Sequence, residues 1–148
     1  LPTELTDADG EKLRDVGGEF GATTGRPRRC GWFDVMPVRH AVMVDGFSKI
    51  AVTKLDVLDS FPEIKVCVGY ESKGRELKRF RTDASTLDSV VPIYETFPGW
   101  MCSTADVTSY EQLPGNARNY VAAIAKLTDT QVDIVSVGKR RDQTIIWF

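Results

Sequence analysis

Hydrophobic positions along this chain follow two rhythms, and the changes between them mark out its elements. In Ile64-Lys65-Val66-Cys67-Val68-Gly69-Tyr70 the apolar residues recur at every second position, the period of a half-buried strand. Lys49-Ile50-Ala51-Val52-Thr53 is a compact β-branched run that stops at Lys54-Leu55-Asp56, and it predicts a second strand. An extended run over 90–97 closes at Pro98-Gly99, and 132–135 and 144–148 predict two further short strands. Lys73-Gly74 predicts a hairpin turn into the segment 75–81, whose lysines and arginines suit an exposed sheet edge. The other rhythm follows Pro114, where Ala117, Tyr120, Val121, Ile124 and Leu127 keep the spacing of an amphipathic helix. A shorter helix is predicted from Asp34 as N-cap, with Pro37 in the first turn, Val38, Ala41, Val42 and Asp45 on one face, and Gly46 as its stop. The first twenty residues are polar and glycine-bearing, and no strand or helix long enough to open a core is predicted there. The expected fold class is α/β, one unit with a mixed sheet, flanking helices and a β-hairpin.

Composition narrows the picture. The chain has 148 residues, about one domain, with enough length to bury a sizeable core. Its 42% hydrophobic and 27% charged residues are ordinary for a globular protein and exclude a disordered one. A net charge of -2 argues against general nucleic-acid binding, which calls for a basic excess. No apolar stretch is long enough to span a bilayer, and the amino terminus lacks a secretory pattern, so no membrane partner and a cytoplasmic location are expected. Cys30, Cys67 and Cys102 are odd in number and widely spaced, which predicts reduced thiols in place of a disulfide framework or zinc site. The start at Leu1-Pro2-Thr3, with no initiator methionine, suggests a piece of something larger.

Two places carry candidate chemistry. In Phe20-Gly21-Ala22-Thr23-Thr24-Gly25-Arg26-Pro27-Arg28-Arg29-Cys30-Gly31-Trp32, two hydroxyls, a glycine turn and three arginines lie within a few residues. Thr23 and Thr24 can donate to oxygens without adding charge, Gly25 can take backbone angles closed to other residues, and the forks of Arg26 and Arg28 match carboxylate or phosphate. This outlines a loop for a small acidic ligand; the alternative is a solvated arginine face with no dedicated ligand. The other place is a pair of strand ends, Lys54-Leu55-Asp56 and Ser136-Val137-Gly138, where open α/β sheets bind ligands. An aspartate there can accept from guanine N1 and N2 together, a donor pair that adenine lacks. Lys54 could lay its stem along the ring with its ammonium solvated, Ser136 offers a hydroxyl, and Gly138 permits close approach. Each element alone has a plain reading as a chance triplet or a turn.

Taken together, Glu19-Phe20-Gly21-Ala22-Thr23-Thr24-Gly25-Arg26, Arg28-Arg29-Cys30-Gly31-Trp32, Thr53-Lys54-Leu55-Asp56-Val57-Leu58-Asp59, Pro92-Ile93-Tyr94-Glu95, Pro98-Gly99-Trp100, Asn116-Ala117-Arg118-Asn119-Tyr120 and Val132-Asp133-Ile134-Val135-Ser136 closely resemble the carboxy-terminal portion of the adenylosuccinate synthetase family, in its order and spacing, from about Pro2 onward. The resemblance implies that residues 1–148 are the carboxy-terminal segment of a single domain with a P-loop NTPase-like fold. It implies a GTP-dependent ligase of purine (AMP) biosynthesis that joins IMP and L-aspartate as GTP becomes GDP and phosphate, acting as a homodimer. By the same resemblance Ala22, Thr23, Thr24, Gly25, Arg26 and Arg28 form the aspartate loop, with Arg26 also facing IMP and Arg28 also near the GTP phosphates. Lys54, Leu55 and Asp56 correspond to the guanine-reading segment, and Ser136, Val137 and Gly138 to the second guanine contact. The chain departs from the family at Lys139, where proline is common, and at Pro27, where some members carry arginine.

The family's phosphate loop, catalytic aspartate and histidine and its Mg2+ ligands belong to an amino-terminal portion outside this chain, so no catalytic or metal-ligating residue is expected here and the segment alone is expected to be inactive. His40 lies in the predicted helix from Asp34 and is expected to be a packed or surface residue, and Glu19, Asp59 and Asp133 are expected to be caps or structural acids. Two other classes of protein bear on the same residues. A free-standing guanine-nucleotide-binding module without activity fits the same contacts. An RNA-binding module built on 26–29 and 75–81 is disfavoured by the net charge and by the lack of aromatics among the arginines.

Overall fold

The computed structural model describes residues 1–77 and 79–147. Helix α1 (Ala8–Gly17) comes first, capped by Asp7, whose carboxylate accepts from Gly10 N–H at 3.1 Å, and closed by Gly18 at φ 62°. No helix was expected here. The reason is its sparse apolar face: Leu13 is its buried large side chain, while Gly10 and Gly17 take the other inward positions. A Cβ on Gly10 would sit 2.2 Å from the Leu5 carbonyl oxygen, so the glycine that weakens the helical pattern is the one that lets α1 pack.

The short strand β1 (Phe33–Asp34) runs straight into helix α2 (Val35–Asp45), with Asp34 as N-cap accepting from Met36 N–H at 3.1 Å and Gly46 at φ 69° as the stop, as the sequence predicts. The face named in advance is only half-buried; Val35 and Met36 are the residues of α2 that reach the core, and Met43 and Val44 are exposed. Strand β2 (Lys49–Val52) passes into a single 3-10 turn, Leu55–Leu58, against which α1 packs. The long strand β3 (Glu63–Ser72) turns at Lys73 and Gly74, both at positive φ, into β4 (Arg75–Glu76), a paired arm far shorter than the charged segment 75–81. Lys78 of that segment lies outside the described residues. A one-turn helix α3 (Ala84–Leu87), capped by Asp83, is too short to leave a period and was not expected. Strand β5 (Val91–Pro98), helix α4 (Gly115–Thr128), β6 (Gln131–Ser136) and β7 (Thr144–Ile146) follow as the patterns predict, with Phe148 of the run 144–148 outside the described residues.

The strands form two mixed sheets, not the single one expected. In the first, β3 pairs in parallel with β1 and antiparallel with β4 and β5. In the second, β6 pairs in parallel with β2 and antiparallel with β7. Local patterns give each strand but not its partner, because pairing is set by residues far apart in sequence. One continuous core serves both sheets: Ala117, Tyr120, Val121 and Ile124 of α4 meet Val132, Val135, Leu55, Phe61, Ile64 and Val66. Each such large apolar side chain contributes about 1.5–3 kcal/mol on burial. No helix among the described residues is long and apolar enough to cross a membrane.

Candidate functional site

Because β2 and β6 run parallel and adjacent, their carboxyl ends open at the same place, with Val52 beside Val135. The residues that follow are therefore neighbours. Lys54 N–H donates to Ser136 Oγ at 2.8 Å, joining two segments separated by 82 positions in sequence. Lys54 holds φ 59° and ψ 40°, the left-handed region that disfavours residues with a Cβ, and this reversal turns the chain from β2 into the Leu55–Leu58 turn. Leu55 and Val137 are buried in the core, at 1% and 0% exposure, so at this corner each presents only backbone.

Asp56 has one carboxylate oxygen, Oδ1, buried with no hydrogen-bond partner. Burial pushes its carboxyl above the ordinary aspartate value, against the pull of its own backbone N–H and of the Lys54 and Lys139 ammonium groups. The side chain of Lys54, the residue that opens the 3-10 turn, makes no capping hydrogen bond to it. An acceptor held out of water without a donor costs free energy, and in native proteins such a group calls for an explanation.

Lys54 has partners that the sequence does not predict. Its side chain is 39% exposed, and its ammonium donates to Gly17 O at 2.7 Å and pairs with Glu19 Oε1. The other oxygen of Glu19, Oε2, accepts from Arg28 Nη1 at 2.9 Å. These two cations hold the Glu19 carboxyl below the usual carboxylate range, Lys54 contributing the larger share. Glu19 was expected to be a cap or structural acid; in the fold it bridges a residue of the arginine loop and a residue of the strand-end corner. No local pattern carries that signal, since its partners lie 9 and 35 positions away. The helix α1 that leads through Gly18 to Glu19 was also invisible in the sequence.

Residues 20–27 form a small exposed hairpin. Phe20 bridges Pro27, Gly21 N–H donates to Arg26 O at 2.8 Å, and Gly25, at φ 64°, returns its N–H to Gly21 O at 2.8 Å. Ala22, Thr23, Thr24, Arg26 and Arg28 are all exposed. Thr24 Oγ1 accepts weakly from Arg26 N–H at 3.4 Å, and among the described residues Arg26 makes no ion pair. Arg29 points elsewhere and pairs with Glu4. At Gly138 the space a Cβ would need is filled by the Gln143 side chain, 2.1 Å away. A cleft of about 460 Å³ lies beside the corner, with Glu19 and Lys54 on its rim and Leu13, Trp32 and Tyr120 in its walls.

Of the other residues singled out in the sequence, Asp133 also has a carboxylate oxygen, Oδ1, buried without a hydrogen-bond partner. Asp59 accepts from Trp100 Nε1 at 2.6 Å and from Thr104 N–H at 2.7 Å, Asp133 pairs with Lys49, and His40 packs 5.4 Å from the Phe80 ring. Among the described residues no three His, Cys, Asp or Glu side chains gather into a metal-ligating group.

An α/β protein with a polar corner at the carboxyl ends of parallel strands, next to an arginine hairpin, has the build of a ligand-binding fold of the open-sheet class. Comparison with known proteins makes this specific. The family model described as adenylosuccinate synthetase matches residues 1–145. The chain is 54% identical over 146 residues to an adenylosuccinate synthetase of Trichlorobacter lovleyi and 53% identical to one of Geobacter sulfurreducens, covering 99% of this chain and 34% of each relative. Its fold is similar to a solved structure of fully ligated adenylosuccinate synthetase from Plasmodium falciparum, with TM-score 0.96 and 34% identity over 100% of this chain and 36% of that one. The chain belongs to the adenylosuccinate synthetase family, and it spans about a third of the length of these curated relatives.

Proposed function

We propose that this chain is the carboxy-terminal segment, residues 1–148, of a GTP-dependent ligase that joins IMP and L-aspartate into adenylosuccinate as GTP becomes GDP and phosphate. Its share of the work is recognition. Asp56 accepts from guanine N1 and N2, and Ser136 with the backbone of Lys54, Leu55, Val137 and Gly138 shapes the rest of the base site. Ala22, Thr23, Thr24, Gly25, Arg26 and Arg28 receive the carboxylates of aspartate, with Arg26 also facing IMP and Arg28 the GTP phosphates. The phosphate loop, the acid and base groups and the Mg2+ ligands come from the rest of a longer P-loop NTPase-like protein, which works in the cytoplasm as a homodimer.

The observation that carries this reading is the Lys54–Ser136 link, which joins the carboxyl ends of the parallel strands β2 and β6 and sets Asp56 two residues beyond it. Guanine presents two donors on one edge, N1–H and N2–H, which an aspartate carboxylate at this corner can accept together, and adenine lacks both. Charge supports the loop assignment in the same way, because forks of arginine placed near a dianionic amino acid and a phosphate orient two reactants at once.

The test is turnover of the intact enzyme with IMP, aspartate and either GTP or ATP. Adenylosuccinate formation that depends on GTP, with ATP a far weaker substitute, is expected. Equal use of the two nucleotides overturns the guanine assignment, and absence of the product overturns the ligase reading.

A further inference from the structure

Glu19 holds a position that neither proposed subsite accounts for. Its Oε1 takes the Lys54 ammonium and its Oε2 takes Arg28 Nη1, while its backbone is also engaged, with N–H to Arg14 O at 2.8 Å and the carbonyl receiving Arg28 N–H at 2.9 Å. Arg28 is thereby fixed by side chain and backbone together. Lys54 is fixed at three points, by Glu19, by Gly17 O and through its own N–H by Ser136 Oγ. The chain of contacts runs unbroken from Arg28 through Glu19 and Lys54 to Ser136, across segments that meet only in the fold.

The backbone of Lys54 gives this chain its significance. A lysine at φ 59° sits in a conformation that glycine takes freely and other residues resist, and it persists only where surrounding contacts determine it. Two of the three contacts that hold this one, the Glu19 carboxylate and the Gly17 carbonyl, come from the end of α1. Lys54 immediately precedes the turn that carries Asp56, so the direction of the Asp56 carboxylate depends on the reversal at Lys54. The side chain of Glu19 is only a quarter exposed, which limits competition from water.

We propose that Glu19 is a positioning residue that sets Arg28 of the aspartate loop and Lys54 of the guanine corner from a single carboxylate, and so makes the two ligand sites depend on one another. The proposal rests on the ligase reading above. Glutamine has the same shape but one acceptor, and its amide must face one of the two cations with a donor, so Glu19→Gln disturbs both contacts without opening a cavity. Aspartate keeps the charge on a stem one methylene shorter and can reach one partner at a time.

The experiment measures kcat, the KM for GTP, the KM for aspartate and the thermal midpoint for the intact enzyme and for Glu19→Gln and Glu19→Asp. In Glu19→Gln both KM values are expected to rise by about fivefold or more, the scale of a lost charged hydrogen bond in a partly exposed site. In Glu19→Asp the partner that is kept decides the pattern: with Arg28 kept only the KM for GTP rises, and with Lys54 kept the KM for aspartate rises while that for GTP rises less than in Glu19→Gln, through the contact of Arg28 with the phosphates. A purely structural role lowers the active fraction and hence kcat with both KM values unchanged, and that result overturns the proposal. So does a rise in only one KM in Glu19→Gln. If Glu19→Gln does not fold, Glu19→Asp decides by its split KM values, and failure of both to fold assigns Glu19 to the scaffold alone. A wild-type enzyme that forms no adenylosuccinate overturns the ligase reading and this proposal with it; an active wild type with unaffected variants overturns this proposal alone.

Discussion

At the ends of β2 and β6 the polar groups are already in place: Ser136 is fixed by Lys54, Leu55 and Val137 are sealed in the core, and Asp56 is aimed with one oxygen out of water. The hairpin over 20–27 is built the opposite way, from a few backbone hydrogen bonds around Gly21 and Gly25, with Thr23, Thr24 and Arg26 exposed. On the proposed reading the first region holds its recognition groups in the fold before any ligand arrives, one of them with an unsatisfied acceptor. The second leaves its donors in water, so the ordering cost falls due when ligand binds. On the proposed reading a nucleotide base with a fixed donor pattern suits the first, and a small flexible dicarboxylate suits the second. Glu19 stands between the two regions.

The comparison is broken most severely by removing what the rigid half stands on. Leu55→Ala empties a site 1% exposed in the shared core and is expected to cost about 2–5 kcal/mol of stability in the intact enzyme. Chemical denaturation checks this, and a loss below about 1 kcal/mol means the corner is not supported as described. Arg28→Leu sharpens the other half. The Arg28 side chain is 57% exposed, so its pair with Glu19 adds only about 0.2–1 kcal/mol to stability, whereas its loss as a ligand for a carboxylate in a closed site amounts to about 2–4 kcal/mol of aspartate binding. Steady-state kinetics against a melting curve separate the two, and unchanged aspartate kinetics remove the loop assignment. The smallest effect is expected for Gly25→Ala. At φ 64° an alanine is strained by roughly 1 kcal/mol, and that strain is local to the hairpin. The KM for aspartate should rise severalfold while that for GTP stays; equal rises in both contradict the separation of the two regions.

How far the sequence foretold this architecture follows from the range of each signal. Helix α2 was legible from Asp34 and Gly46, and α4 from the spacing of Ala117, Tyr120, Val121 and Ile124, because caps and periods are local. Helix α1 was not, since the glycines that allow it to pack erase its apolar stripe. The division into two sheets was hidden for another reason: nothing within β2 states that it lies beside β6 and away from β3. At the site, Lys54, Asp56 and Ser136 were legible as strand-end residues, and the fold brings Lys54 to Ser136. The role of Glu19, the capture of the Lys54 ammonium and the packing of Gln143 on Gly138 all depend on contacts between distant segments, which no spacing rule carries.

The most direct test of a prebuilt guanine corner is Asp56→Asn in the intact enzyme, assayed with GTP and with xanthosine triphosphate and melted without ligand. The amide places a donor where guanine also donates, so GTP should weaken by about 2–4 kcal/mol, while xanthosine triphosphate, with an oxygen at that position, should lose less or gain. Without nucleotide the variant should be more stable at neutral pH by roughly 1 kcal/mol, because a carboxylate whose Oδ1 is buried without a partner is replaced by a neutral group. The sign follows from burial. Since the folded carboxyl titrates above its unfolded value, the wild type loses stability as pH rises between the two, so the advantage of the variant opens through that interval and vanishes in stronger acid. Tighter or unchanged GTP binding, equal losses for both nucleotides, or a variant less stable than the wild type at neutral pH would contradict the account.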